Sequence, residues 1–337
     1  MSVHHCPLNI LSLQVSLDLV RYQSAYDTFE RSGYTRADTV RLMRKAVALA
    51  CAAKDRFLAE RPDLRQDDMQ IALSLGPYGA TLNSNEFDGI YPPPYGPESF
   101  APGRRNSFLP GEEQFYEGSV EALKNFHLDR LRVFAEDDET WNSIDWIAFE
   151  TVPLVREVTA IRRAVHTLYE ELSAHCPEGR WRKRWWISTV HPFGSFPERT
   201  HEGESVAVRQ VVAAILGQDG PGKALPAPDG IGINCTGVRY LSSIVAEMRE
   251  AVMNMRTEQS PWLLLYPNGR EWNVATQGWE DTGADDDESA KTWGAAFAGS
   301  VRPSIEHRCM WRGAIVGGCC KSGPREISAL AKVMKSI

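Results

Sequence analysis

No strand-like run in this chain is followed by a Gly-x-Gly-x-x-Gly turn, which excludes the dinucleotide fingerprint of a doubly wound fold. No apolar stretch reaches the roughly 18 residues that a membrane-spanning helix needs. The N-terminus lacks a basic n-region and a cleavage signal, and its apolar stretch over residues 9–20 is interrupted by Asp18. Basic charge is also short. Lys and Arg number 37 against 44 Asp and Glu, so the net charge is −7 and no footprint for nucleic acid or an anionic membrane exists. Cysteine is sparse and odd in number, seven in 337 residues, which does not describe a disulfide framework. The expectation is a cytoplasmic protein with neither nucleic acid nor a membrane as its partner.

What is present alternates between short β-type runs and longer helical patterns. Strands are expected at residues 69–75, 144–149, 185–190, 230–234, 261–266 and 314–316. Most are continuous apolar runs, as strands buried on both faces are. Helical patterns cover 37–60, 112–136, 154–173, 205–216, 240–256, 290–300 and 324–336. Strand-helix alternation at this spacing argues for βαβ units and a parallel sheet, and the number of units favours a (β/α)₈ (TIM) barrel in the α/β class. No linker divides the chain, so residues 1–337 read as one domain. The Pro- and Gly-rich stretch 91–110 reads as a long loop over the C-terminal face of the strands, and the acidic run 280–288 as a solvated surface loop.

Three of the seven cysteines stand at strand ends. Cys319 and Cys320 follow Gly313-Ala314-Ile315-Val316-Gly317-Gly318, and Cys235 ends Gly230-Ile231-Gly232-Ile233-Asn234. Vicinal cysteines do not readily bridge each other. If the two strand ends lie side by side, three thiolates converge, the ligand count of a catalytic zinc with an open fourth position. Soft thiolates select zinc, and such a site suits activation of a substrate thiol. Two blander readings stand beside it: a closed structural site completed by a fourth ligand, for which His307 is near in sequence, and three unligated core thiols. Cys6, Cys51, Cys176 and Cys309 read as plain packed or surface thiols. His191 and the His4-His5-Cys6 group read as ordinary surface residues.

Other polar residues fall at strand ends, where a barrel builds its active site. Glu150 closes Asp145-Trp146-Ile147-Ala148-Phe149-Glu150; it can cap the next helix or hold a substrate ammonium beside the metal. Asn234 can orient a ligand or satisfy loop backbone. Gly76-Pro77-Tyr78-Gly79 and Tyr266-Pro267-Asn268 end two further strands.

Together, Gly-Ile-Asn-Cys at 232–235, Gly-Gly-Cys-Cys at 317–320, Phe-Glu-Thr-Val-Pro at 149–153 and Leu-Gly-Pro-Tyr-Gly at 75–79 resemble the homocysteine S-methyltransferase family. Tyr266-Pro267-Asn268-Gly269 and Arg21-Tyr22-Gln23 also look like family segments, so the resemblance runs from about residue 21 to the C-terminus. It implies a zinc-containing (β/α)₈ barrel that transfers methyl from S-methylmethionine or S-adenosylmethionine to homocysteine, giving methionine. Cys235, Cys319 and Cys320 would be the zinc ligands, Glu150 would contact the homocysteine amino group, and Asn234 would line the pocket.

One family feature has no counterpart. The Asp-Gly-Gly-x-Gly-Thr segment that ends the family's first strand is not in this chain, and the part before Arg21 is too short for the first strand-helix pair. Residues 10–15 are expected to substitute for the second strand, leaving an incomplete barrel with two exposed edges. A misplaced gene start, a true truncation and closure by oligomerisation each account for the gap, and the intact cysteines favour the first. Two alternative functions follow: a catalytically impaired zinc-binding remnant, and a methyltransferase for another thiol or selenol acceptor.

Overall fold

The computed structural model describes residues 10–11, 23–82, 86–99, 101, 103–175, 181–217, 225–255, 259–273, 275–276, 278–280, 286–306 and 310–335. Its strands are β1 (Ile10–Leu11), β2 (Ala72–Leu75), β3 (Trp146–Val152), β4 (Arg184–Thr189), β5 (Gly230–Gly237), β6 (Trp262–Asn268), β7 (Trp272–Asn273), β8 (Gly278–Trp279) and β9 (Gly313–Val316). Its α-helices are α1 (Tyr26–Arg31), α2 (Arg36–Ala59), α3 (Glu113–Ala135), α4 (Asp138–Asn142), α5 (Val155–His175), α6 (Val208–Leu216), α7 (Leu241–Asn254), α8 (Asp286–Glu306) and α9 (Pro324–Met334). Seven strands form one sheet in the order β1-β9-β6-β5-β4-β3-β2, every pair parallel, while β7 and β8 make a separate antiparallel hairpin. The expected parallel α/β sheet is therefore present.

Two expectations need correction. The segment at Ile10–Leu11 does form a strand, but it pairs with the last strand, Ile10 opposite Ala314 and Leu11 opposite Ile315, and not with β2. It therefore holds the place of a barrel's first stave, and the gap in the described sheet lies between β1 and β2, at the second. The acidic run also differs: Asp286, Asp287 and Glu288 are the first turn of α8, where carboxylates complement the helix dipole. Asp286 there binds Arg270 at 3.2 Å and Arg325 at 2.8 Å. Residues 281–285, like Arg21, Tyr22, His4-His5-Cys6, Cys176, His307 and Cys309, lie outside the described residues.

Alternation along the strands sorts two cores. Trp185, Ile187, Ile231, Ile233, Leu263 and Leu265 point to the helices and join the main core. Trp146, Ala148, Trp186, Trp262, Leu264 and Tyr266 point to the other face and pack on each other. Trp146 lies 5.6 Å from Trp186 and 6.1 Å from Trp262, ring centre to ring centre, so the inner face is filled with side chains as a barrel interior is. This packing requires the inward positions of β5 to be glycine. A Cβ at Gly232 would fall 2.1 Å from the Leu264 carbonyl oxygen, and one at Gly230 would fall 2.4 Å from Leu264 Cδ2. Above Gly232, the Tyr266 hydroxyl bonds Ser188 Oγ and accepts from Trp186 Nε1 at 3.1 Å, linking β6 to β4 across β5.

A buried polar clamp outside the sheet sets the loop after β2. Glu157, in the first turn of α5, accepts from the Tyr78 N–H at 2.7 Å, from Tyr91 OH at 2.7 Å and from His127 Nε2 at 3.0 Å. Arg130 donates to the Gly76 carbonyl at 2.7 Å and to His127 Nδ1 at 2.8 Å, which fixes the proton of this imidazole on Nε2. Burial alone would raise the Glu157 carboxyl, but the bonds from His127, Tyr78 and Tyr91 outweigh it and leave it below the usual carboxylate range. Next to it, Arg156 donates to the Asn106 carbonyl at 2.5 Å, and Asn106 Nδ2 binds Asp88 O and Pro197 O at 2.7 and 2.9 Å. One helical turn thus anchors both the 76–81 loop and the Pro-rich stretch 91–110.

Three measurements check these statements. Gly232→Ala should destabilise the protein by about 1–3 kcal/mol or more in chemical denaturation, because backbone cannot give way to the new methyl. Glu157→Leu should cost about 3–5 kcal/mol by stranding the Arg130 cation, and adding Arg130→Met should recover most of that loss. The pH profile has a worked sign. Burial holds His127 down at about 4 and His191 at about 3, both below the ordinary 6.5, so their contribution is complete above 6.5 and lost as pH falls. Glu157, also depressed, adds the same sign below 4.5. Thermal melts should therefore drop progressively on acidification below about pH 6.5.

Candidate metal centre

Three non-glycine residues at the strand ends adopt left-handed backbone: Thr151 (φ 60°), Cys235 (φ 48°) and Lys321 (φ 61°). Strain of this kind persists only where the surroundings impose it. Two of the three sit in β-bulges. The β3–β4 register breaks between Phe149 and Val152, and the β5–β6 register breaks between Asn234 and Gly237. Bulges re-aim side chains beside active sites, and here they present Glu150 and Cys235.

The third element is the turn after β9. Gly317 N donates to Leu265 O at 2.9 Å, Cys319 N to Pro267 O at 2.8 Å, and Gly269 N to Cys320 O at 2.8 Å. The turn is thereby stitched to the end of β6. Gly318 is needed because a Cβ there would lie 2.3 Å from that of Ser322.

The sulfurs of Cys235, Cys319 and Cys320 all lie within 4.8 Å of one another, the one His/Cys/Asp/Glu group of three or more among the described residues that could hold a metal ion. The strands that carry Cys235 and Cys319 are not neighbours, since β6 runs between β5 and β9. Their thiols meet over the end of β6. Cys235 Sγ is 2.6 Å from Cys319 Sγ and 3.9 Å from Cys320 Sγ, and all three residues are free cysteines. Around tetrahedral zinc with Zn–S near 2.3 Å, sulfurs lie about 3.8 Å apart. Three soft donors so gathered suit zinc: the Cys235–Cys320 spacing is at that value, and Cys235 and Cys319, closer together, would have to part to take up the ion.

The cluster also favours an anion. Cys320 accepts from Cys235 and Cys319, and its thiol is pushed down to about 3. Cys235, in contact with both neighbouring sulfurs and buried, is held well above the ordinary thiol range. Cys319 is raised as well: the Cys235 contact pulls it down, but Cys320 and burial outweigh that. A divalent cation bound by the three sulfurs would draw their protons off.

Glu150 is 8% exposed, and its charge contributes to raising Cys319 and, after burial, Tyr266. Its carboxylate therefore belongs to the same pocket as the sulfurs. Asn234 is buried at 1%, with both ends of its amide on Thr151: Oδ1 accepts from Thr151 N at 2.8 Å and Nδ2 donates to Thr151 Oγ1 at 2.6 Å. His191, expected at the surface, is 1% exposed; it is packed 5.7 Å from the Phe196 ring, and its backbone N–H donates to Thr236 Oγ1. It lies one step beyond the strand face that carries Trp185 and Ile187 toward the helices, which is why it is covered. Sequence reading passed over Thr151, Ser188 and the hydroxyl of Tyr266. Their signal was position alone, since each sits on a strand facing the interior or directly after Glu150.

Comparison with known proteins agrees with this geometry. The family model for homocysteine S-methyltransferase matches residues 20–334. Homocysteine S-methyltransferase 3 of Zea mays is 27% identical over 319 residues, covering 93% of this chain and 74% of that protein. The Bacillus subtilis homocysteine S-methyltransferase YbgG is 26% identical, covering 94% and 78%. A selenocysteine Se-methyltransferase from Brassica oleracea var. italica is 25% identical, covering 96% and 77%. Among solved structures, the metallated form of the Escherichia coli homocysteine methyltransferase MmuM shares the fold, with TM-score 0.56, 22% identity and coverage of 93% and 77%. The chain is a parallel α/β protein with a three-thiol strand-end centre. It belongs to the homocysteine S-methyltransferase family.

Cys319→Ser removes one of the three gathered sulfurs. Metal analysis after equilibration with zinc should show about one ion per wild-type chain and a substoichiometric amount in the variant. Cys51→Ser, in the middle of α2, should leave the content unchanged.

Proposed function

We propose that this protein transfers a methyl group from a sulfonium donor, S-methylmethionine or S-adenosylmethionine, to the thiol of homocysteine, giving methionine. The observation that carries the reading is the gathering of Cys235, Cys319 and Cys320 in a family member, with Glu150 beside them. Zinc, held by those three residues, would supply the Lewis acidity that makes a substrate thiol a thiolate near neutral pH.

The chain's own residues supply the rest. The carboxyl of Glu150, buried near Cys319, suits the ammonium group of the amino acid and so would turn its side chain toward the sulfurs. The inner plug of Trp146, Trp186 and Trp262 closes the floor and keeps the reaction at the strand ends. The clamp at Glu157 holds the 76–81 and 91–110 loops beside this face. The chemical step balances without a further reagent: the acceptor sulfur forms a C–S bond to the methyl carbon, the donor C–S bond breaks, and its electron pair neutralises the sulfonium. The thiol proton leaves to solvent. The whole chain reads as one domain acting in the cytoplasm; no helix among the described residues is long and apolar enough to cross a membrane.

The test is methionine formation from homocysteine with each donor, on protein of measured zinc content. Turnover with either donor, lost on chelation and restored by zinc, is expected. Glu150→Gln should raise KM for homocysteine by one to two orders of magnitude, about 1.4–3 kcal/mol of lost charge-assisted contact. Zinc-loaded protein without turnover would leave the impaired zinc-binding form as the correct reading. The 25% identity to the Brassica oleracea selenocysteine enzyme favours one rival acceptor, and competition between homocysteine and selenocysteine in one assay decides between them.

A further inference from the structure

The two strained bulges are tied to each other, although β4 runs between the strands that carry them. Asn234 Nδ2 donates to Thr151 Oγ1 at 2.6 Å, while Asn234 Oδ1 holds the Thr151 N–H at 2.8 Å. The direction of the first bond matters. With its oxygen already accepting from an amide, the threonine hydroxyl has its own proton to place elsewhere. The acceptor within reach is Cys235 Sγ, at 3.9 Å. The three groups form a one-way relay: amide N–H to hydroxyl oxygen, hydroxyl proton to sulfur.

We propose that Asn234 and Thr151 are positioning residues for the thiol centre, and that Asn234 is not a substrate contact. The inference rests on the metal reading of the cysteines. The relay does two things. It fixes the left-handed Cys235 backbone by bracing it to the equally strained Thr151. It also places a hydrogen-bond donor on one ligand sulfur; partners of this kind orient a ligand and tune its donation to a metal. Because Thr151 directly follows Glu150, the same brace sets the carboxylate relative to the sulfurs.

Cobalt(II) substitution reads the relay without any turnover. Thr151→Val deletes the hydroxyl and keeps the β-branched shape, so the sulfur-to-cobalt charge-transfer band should move to lower energy. Thr151→Ser keeps the hydroxyl and should restore the wild-type band. Asn234→Asp discriminates by direction: a carboxylate offers no N–H, the hydroxyl turns toward it, and the band should move as in Thr151→Val. Asn234→Ala should weaken zinc binding ten- to a hundredfold in competition with a chromophoric chelator. Bands unmoved in Thr151→Val and Asn234→Asp overturn the relay, as does a rise in KM for homocysteine as the only effect of Asn234→Ala. Lower melting temperatures with unmoved bands would make the pair merely structural and overturn it too. A wild-type chain that takes up no cobalt or zinc would sink the metal reading itself, an outcome distinct from a metal-binding wild type with indifferent variants.

Discussion

Side chains from alternate strands meet over the strand between them, and every part of the site depends on that geometry. Cys235 and Cys319 touch across β6, Asn234 and Thr151 across β4, and Ser188 and Tyr266 across β5. A flat sheet holds next-but-one strands close to 10 Å apart, twice the inter-strand spacing. Only a strongly curved sheet brings their side chains into contact. The curvature has its own requirement, which β5 meets by placing glycine at both inward positions beneath the site. Where the inner face opens, bulges at Thr151 and Cys235 turn polar groups into the space.

Much of this was legible in the chain, and the reasons differ by feature. Doubly buried strands announce themselves as short apolar runs, so β3, β4, β5, β6 and β9 lay within a few residues of their expected places. Cysteine and glycine at strand ends were legible because few other roles suit Gly-Gly-Cys-Cys. Strand order was not. Nothing local in Gly-Ile-Asn-Cys says that another strand separates it from Gly-Gly-Cys-Cys, because order is set by right-handed crossovers and closure rather than by local composition. For the same reason Ile10–Leu11 was placed beside the wrong neighbour. His191 was misjudged because burial of an isolated polar residue after a strand depends on the helix layer above it. The Glu157 clamp was illegible outright, since its partners lie 30 to 79 residues away along the chain.

Charge placement follows a consistent logic. The helix layer carries a buried network whose anion, Glu157, is met by three donors and by the nearby Arg130. Its product is order in two loops. The inner face carries a different case, three gathered thiols with the buried Glu150 on the same strand ends. Without a cation, full ionisation of the three thiols is resisted, as the raised Cys235 and Cys319 beside the lowered Cys320 show. A divalent cation converts the same arrangement from costly to favourable, which is why the donor set argues for a metal more strongly than the count of three sulfurs does.

The brace between Thr151 and Asn234 bears on how two anchors for an amino-acid acceptor can be held relative to each other. A sulfur amino acid presents two groups to be fixed, a thiol and an ammonium, separated by a short, flexible stem. Fixing both ends orients the stem without a third contact, provided the two anchors are rigid relative to each other. In the proposed function the sulfur anchor would be Cys235 and the ammonium anchor Glu150, each one residue from a member of the same hydrogen-bonded pair. The separation of the two residues is then set by that pair and by the strands that carry it.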